Sequence, residues 1–172
     1  MQMILAIVMA VWAGAVVAAP KDAVFPSIDG GTIALSDFAG QPVLVVNTAS
    51  QCAFTRQYDG LQALYDRYRA RGLVVLAVPS DDFNQELDSA AEVKEFCEIN
   101  FSLTLPMTDM LHVRGTQAHE FYKAVRAETG FIPRWNFNKV QIDADGKVVD
   151  TWGSNQRPDQ GAIPREIEKI LN

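Results

Sequence analysis

The chain predicts an α/β sandwich, a central mixed sheet flanked by helices. Three observations carry that expectation. Two short apolar runs, residues 42–47 and 73–78, show little alternation, as strands buried on both faces do. Between them Tyr58, Leu61, Leu64, Tyr65 and Tyr68 recur at helical spacing until Gly72 stops the helix. Further on, Lys139–Ile142 and Val148–Trp152 flank Asp143-Ala144-Asp145-Gly146, a hairpin turn. Strand–helix–strand, then a helix, a hairpin and a last helix is the order of a thioredoxin-like sandwich.

The remaining elements follow in order. Gly30-Gly31 and residues 32–35 read as the start of a hairpin, and residues 36–40 as a turn. Thr55 is placed to cap the first helix. A second helix runs from Ser89 or Ala90 to Ile99, with Val93, Phe96 and Cys97 on one side. Residues 116–127 read as a third helix and 164–171 as a fourth. The parallel crossover is expected to be right-handed. Trp152 and the helical tyrosines are core candidates. In such a sheet the site lies at the carboxyl end of the first strand, and Cys52 falls there.

Residues 1–18 read as a cleaved signal peptide, leaving residues 19–172 as one domain. The leader has no charged side chain and ends V-V-A-A-P, with Val16 and Ala18 at the two small-residue subsites. An uncleaved anchor is the rival reading, since the apolar length is near the lower limit for spanning. Either way the domain is expected to be exported, to a periplasm. The net charge of −6 argues against a nucleic-acid partner, which would need a basic face.

Cys52 is the residue that points to chemistry. It stands in V-V-N-T-A-S-Q-C-A-F-T-R-Q-Y, residues 45–58, where an apolar strand gives way to a helix. A thiol at such a junction faces unpaired backbone N–H groups and the positive end of the helix dipole, which favour thiolate. The other cysteine is Cys97. Two cysteines in an oxidising compartment also allow a structural Cys52–Cys97 disulfide in a non-catalytic exported domain. A thiol–disulfide reductase would need C-x-x-C, and Cys52 is followed by Ala53, Phe54 and Thr55.

Two further motifs are expected at the same sheet edge. One is V-P-S-D-D-F-N-Q-E, residues 78–86, after the second buried strand; the other is W-N-F-N-K-V, residues 135–140, leading into the hairpin. Gln85, the Trp135 indole and the Asn136 amide supply N–H donors that do not titrate near neutral pH. Such donors stabilise charge on a thiolate or on a departing oxygen. His112 and His119 lack metal-ligand spacing, so no metal is expected, and no phosphate loop or nucleotide fingerprint appears. His119 is expected to cap or pack a helix. Arg134, beside Trp135, is either a solvated side chain or a contact for an anionic reductant or lipid headgroup.

These motifs, with V-K-E-F-C, A-H-E-F-Y and D-A-D-G-K-V-V, fall in the order of the glutathione peroxidase family, which the chain resembles from about Ile33 to Leu171 in its cysteine form. The resemblance implies a thioredoxin fold and reduction of hydrogen peroxide and organic or lipid hydroperoxides. It implies a catalytic set of Cys52, Gln85, Trp135 and Asn136, with Cys52 passing through a sulfenic acid. It implies no cofactor beyond a reducing co-substrate, glutathione or a thioredoxin-like protein. Cys97 would be the resolving cysteine; relatives that use thioredoxin often carry it one position later, where this chain has Glu98. A buried core thiol is the other reading of Cys97.

The short segment 130–135 lacks the oligomerisation loop of tetrameric relatives, which implies a monomer with an open site. The family loop usually reads P-C-N-Q-F-G-x-Q-E-P. Here Pro79 to Leu87 reads P-S-D-D-F-N-Q-E-L, one residue shorter, so Gln85 aligns across a gap after Phe83. Asp81 and Asp82 are expected to point to solvent, where screening weakens their effect on a thiolate.

Overall fold

A computed structural model describes residues 18–171, so the leader assigned to residues 1–18 lies outside the described residues but for Ala18. Strands β1 (Val24–Pro26) and β2 (Thr32–Ala34) form a small antiparallel hairpin, followed by a 3-10 turn at Leu35–Phe38. Then come β3 (Val43–Thr48), α1 (Gln57–Tyr68), β4 (Val74–Pro79), α2 (Ala90–Phe101) and α3 (Glu120–Thr129). The chain closes with β5 (Lys139–Ile142), β6 (Val148–Trp152) and α4 (Ala162–Ile170). The main sheet has the order β4-β3-β5-β6. The β3–β4 pair is parallel and the other two pairs are antiparallel, so the sheet is mixed, as the sequence predicts.

Every residue of β3 and β4 is buried, which explains their unbroken apolar character. Successive side chains go to opposite faces. Leu44, Val46, Val75 and Ala77 join α1, α2 and α4 in one core, which also holds Cys52 and Cys97. Val43, Val45, Val74, Leu76, Val140 and Ile142 join the β1–β2 hairpin and α3 in the other.

Some boundaries differ from the sequence reading. The third helix starts at Glu120 rather than Thr116, because His119 caps it: its Nδ1 accepts from Phe121 N–H at 3.3 Å. The same ring stacks on Phe25 at 4.4 Å, so His119 both caps and packs. Thr55 does not cap α1, which begins two residues later behind Arg56 with no side-chain cap. On α2 only Val93 and Cys97 are buried; Phe96 is half-exposed. Gly72 ends the α1 segment with φ of 98°, a left-handed conformation that favours glycine.

Strand β5 turns Lys139 and Gln141 into the core, away from Val140 and Ile142. Lys139 is fully buried. Its Nζ donates to Gln57 Oε1 at 2.6 Å and to the Gln156 carbonyl at 2.7 Å, tying β5 to α1 and to the loop after β6. No carboxylate pairs with it among the described residues, and burial holds its pKa down to about 7 from 10.5. Between those values the unfolded chain binds a proton that the folded chain does not, so stability rises with pH there. Lys139→Met removes that slope. We expect the wild type to gain on the order of a few kcal/mol relative to Lys139→Met between about pH 7 and about pH 10, read from urea unfolding at both values.

Candidate active site

The site grows from the end of β3. Asn47, 1% exposed, uses both ends of its amide on the segment before β5. Nδ2 donates to the Trp135 carbonyl at 3.0 Å and Oδ1 accepts from Asn138 N–H at 3.1 Å. Its backbone carbonyl accepts from Phe137 N–H at 2.6 Å, and its N–H donates to the Asn138 carbonyl at 3.2 Å. Four hydrogen bonds from one residue therefore fix the Trp135–Asn138 stretch against the strand that delivers Cys52. Phe137 adopts φ of 59°, costly for a bulky side chain by about 1 kcal/mol or more. Its ring is fully buried and meets Tyr58 edge-on at 5.3 Å, and that packing holds the strained backbone in place.

Cys52 follows in a chain of tight turns before α1. Thr55, the expected cap, instead braces this turn. Its Oγ1 accepts from Cys52 N–H at 3.1 Å and donates to the Cys52 carbonyl at 2.6 Å. Phe54 N–H donates to Cys52 Sγ at 3.4 Å, the one hydrogen bond to this sulfur among the described residues. Cys52 is 8% exposed.

The 80–87 loop closes over this turn. Gln51 N–H donates to the Gln85 carbonyl at 2.9 Å, and Gln85 Oε1 accepts from Asn136 Nδ2 at 3.0 Å. Glu86, unremarked in the sequence, is a second tie: its buried Oε1 accepts from Ser50 and Leu87 N–H, both at 2.9 Å. Burial, above all, raises its pKa. The structure thus brings Gln85 and Asn136 together beside the cysteine turn. Asn136 directs its N–H to Gln85 rather than to sulfur. Trp135 is 40% exposed and its ring tilts against Phe83 at 5.4 Å.

The expectation that Asp81 and Asp82 point to solvent fails for Asp82. Its carboxylate is 11% exposed, and it accepts from Val113 and Arg114 N–H at 2.7 and 3.1 Å while meeting His112 Nδ1 at 2.6 Å. This acid clamps residues 112–114. Asp81 is exposed, but its Oδ1 accepts from Glu86 N–H at 3.0 Å.

Cys97 is 1% exposed in the core cluster that contains Cys52 and Tyr58. Burial, with some help from Glu86 and Glu98, pushes its thiol up to about 11. Both cysteines are free thiols, so the fixed Cys52–Cys97 disulfide of a non-catalytic domain is not what this fold is built on. No group of three or more His, Cys, Asp or Glu is placed to hold a metal among the described residues.

A lone cysteine at the carboxyl end of a central strand, in a thioredoxin-like sheet and without a C-x-x-C partner, defines a one-cysteine thiol centre. The comparisons give the class its name. The glutathione peroxidase family profile matches residues 22–126, and the chain belongs to that family. It is 43% identical over 156 residues to the hydroperoxy fatty acid reductase gpx1 of Synechocystis, covering 84% of this chain and 91% of that one. It is 37% identical over 158 residues to the glutathione peroxidase-like peroxiredoxin gpx1 of Schizosaccharomyces pombe, covering 89% and 96%. Among solved structures, apo Trgpx superposes with a TM-score of 0.71 at 30% identity, covering 90% and 96%. A thiol:disulfide interchange protein DsbE from Chlorobium tepidum shares the fold, with a TM-score of 0.66 at 21% identity over 90% and 96%.

Asn47→Ala removes two side-chain bonds that no water reaches easily. Unfolding stability should fall by about 2 kcal/mol, measured from denaturant midpoints, and peroxide reduction should slow with it because the Trp135–Asn138 segment loosens.

Proposed function

We propose that this peroxidase works through Cys52, with Gln85, Trp135 and Asn136 as its donors and Cys97 as the resolving thiol. The observation that carries the reading is the joining of three distant motifs at one sheet edge: Gln85 bonds to Asn136, Gln51 to Gln85, and Asn47 to Trp135. Cys52 thiolate attacks the distal peroxide oxygen and the O–O bond breaks. Sulfur loses two electrons and becomes sulfenic acid; the other oxygen leaves with the electron pair and takes up the proton that sulfur gave up, as water or an alcohol. Cys97 then displaces the sulfenic hydroxyl as water, forming a disulfide. A thioredoxin-like dithiol reduces that disulfide.

Resolution needs Cα atoms within about 7 Å, and a buried thiol held near 11 is a poor nucleophile where it stands. Local opening of α2 meets both needs. The helix is suited to it, with two of twelve residues buried and Ile99 70% exposed. Substrates extend to organic and lipid hydroperoxides, as the name of the Synechocystis relative suggests. The short 130–135 segment supports a monomer, and the apolar leader ending in small residues supports an exported domain.

Stopped-flow oxidation of the reduced protein tests the reading. Cys52→Ser should fold and lose peroxide consumption; substantial residual turnover would sink the assignment. Trp135→Phe and Gln85→Ala should each slow oxidation roughly a hundredfold. An unchanged rate in Gln85→Ala would mean that the shortened loop uses another donor. In Cys97→Ser the sulfenic acid should persist, be trapped by dimedone, and leave thioredoxin-coupled turnover collapsed. Normal thioredoxin-coupled turnover in that variant would make Cys97 a core thiol.

A further inference from the structure

We infer that Lys139 is a positioning residue of the peroxidase: from the core it holds the loop that carries Ser154, and through Ser154 it fixes Asn136 beside the Cys52 turn. This rests on the reading of Asn136 as a donor at the site. Asn136 is fully buried, and its side chain makes one bond, from Nδ2 to Gln85 Oε1 at 3.0 Å; its Oδ1 has no partner among the described residues. With a single side-chain tie, the aim of the amide follows the backbone beneath it. Ser154 grips that backbone. Its Oγ donates to the Asn136 carbonyl at 2.5 Å and accepts from Asn138 Nδ2 at 2.9 Å.

Ser154 itself lies two residues past β6, outside the sheet, so its place has to be set from elsewhere. Gln57 Nε2 donates to the Ser154 carbonyl at 2.6 Å, and Lys139 Nζ donates to the Gln156 carbonyl at 2.7 Å. Lys139 governs the first of these bonds as well. Its Nζ donates to Gln57 Oε1 at 2.6 Å, which turns the Gln57 amide oxygen toward the core and its N–H groups toward Ser154. One buried amine thus supports both ends of the 154–156 segment. The series Lys139–Gln57–Ser154–Asn136–Gln85 is unbroken, with no link longer than 3.0 Å. It returns to the cysteine through Gln51, whose N–H donates to the Gln85 carbonyl at 2.9 Å.

The same amine reaches the sulfur from the other side. Gln57 opens α1, and its N–H donates to the Phe54 carbonyl at 2.8 Å. Phe54 N–H in turn donates to Cys52 Sγ at 3.4 Å. Lys139 therefore stands under both halves of the site, the turn that holds the thiol and the segment that holds the donor. Methionine in its place keeps an apolar stem of similar length and supplies no donor, so both halves lose their common support.

The test compares two reactions of Cys52 in the reduced protein at one pH. Oxidation by hydrogen peroxide uses donors placed for the departing oxygen, whereas alkylation by iodoacetamide needs the thiolate and access alone. Lys139→Met should slow oxidation about tenfold and leave alkylation within about twofold of the wild type. Ser154→Ala and Gln57→Met, both at half-buried positions, should show the same split, and Ser154→Thr, which keeps the hydroxyl, should restore most of the rate. Joining Lys139→Met to Ser154→Ala should slow oxidation no further than about tenfold, because both break one series; independent losses would multiply to about a hundredfold. An undiminished oxidation rate in Lys139→Met, an equal loss in both reactions, or a multiplied loss in the double variant overturns the inference. If Lys139→Met does not fold, Ser154→Ala and Gln57→Met decide, and the absence of a selective loss in either one overturns it. An unchanged rate in Asn136→Ala removes the donor reading and this inference with it, and a wild-type Cys52 that is alkylated but never oxidised by peroxide overturns the peroxidase reading itself.

Discussion

The side chain of Asn47 holds the site in register. Cys52 arrives just past β3, but two of its proposed donors, Trp135 and Asn136, arrive on the segment before β5, almost ninety positions later by the count of the Asn47–Trp135 bond. The antiparallel β3–β5 ladder pairs Val43 to Val46 with Ile142 to Lys139 and stops there. Beyond it, a free segment would fray. Asn47 continues the pairing with its own backbone and adds two side-chain bonds, so that Trp135 and Asn136 are carried one step past the sheet edge without losing their tie to it. No aliphatic residue in that strand position could satisfy both a carbonyl and an N–H.

That constraint has energetic consequences around it. Phe137 is forced to positive φ, and its ring is held by Tyr58 in compensation. Lys139, the next inward residue of β5, is left in the core with neutral acceptors only. Glu86 is buried with one oxygen bonded and the other unpartnered among the described residues. Each of these costs stability, and each braces a loop that touches the cysteine turn. Such a site is assembled at the expense of the fold, as expected where geometry matters more than packing.

Most of the architecture was legible because it rests on periodicity. Two unbroken apolar strands, a 3.6-period tyrosine and leucine face and one Asp-Gly turn suffice for a mixed sheet with helices on both sides. The residues bearing chemistry were also legible as types in motifs. What the sequence could not show was direction. Thr55 looks like a cap by position, yet its hydroxyl turns back to Cys52 because the helix starts later. Asp82 looks like a surface acid, yet its carboxylate accepts from the N–H groups of Val113 and Arg114. Asn47 and Glu86 act on partners far along the chain, and only Asn47 carried a signal, a polar residue ending an apolar strand.

The two cysteines lie in one core but in different surroundings. They share the face of the sheet covered by α1, α2 and α4, so distance along the chain is no barrier to their meeting. Their surroundings differ. Cys52 accepts one backbone N–H, from Phe54, whereas Cys97 lies in apolar packing that keeps its proton on. Withholding Cys97 would have a use in the proposed cycle: a second exposed thiolate could itself be oxidised by peroxide. Val93 and Cys97 are the fully buried residues of α2, with Phe96 and Phe101 packed beside them, so the packing that keeps the thiol inert also sets how easily it is released. In the proposed cycle, resolution by Cys97 would then be gated by the local stability of one helix rather than by the chemistry at sulfur alone.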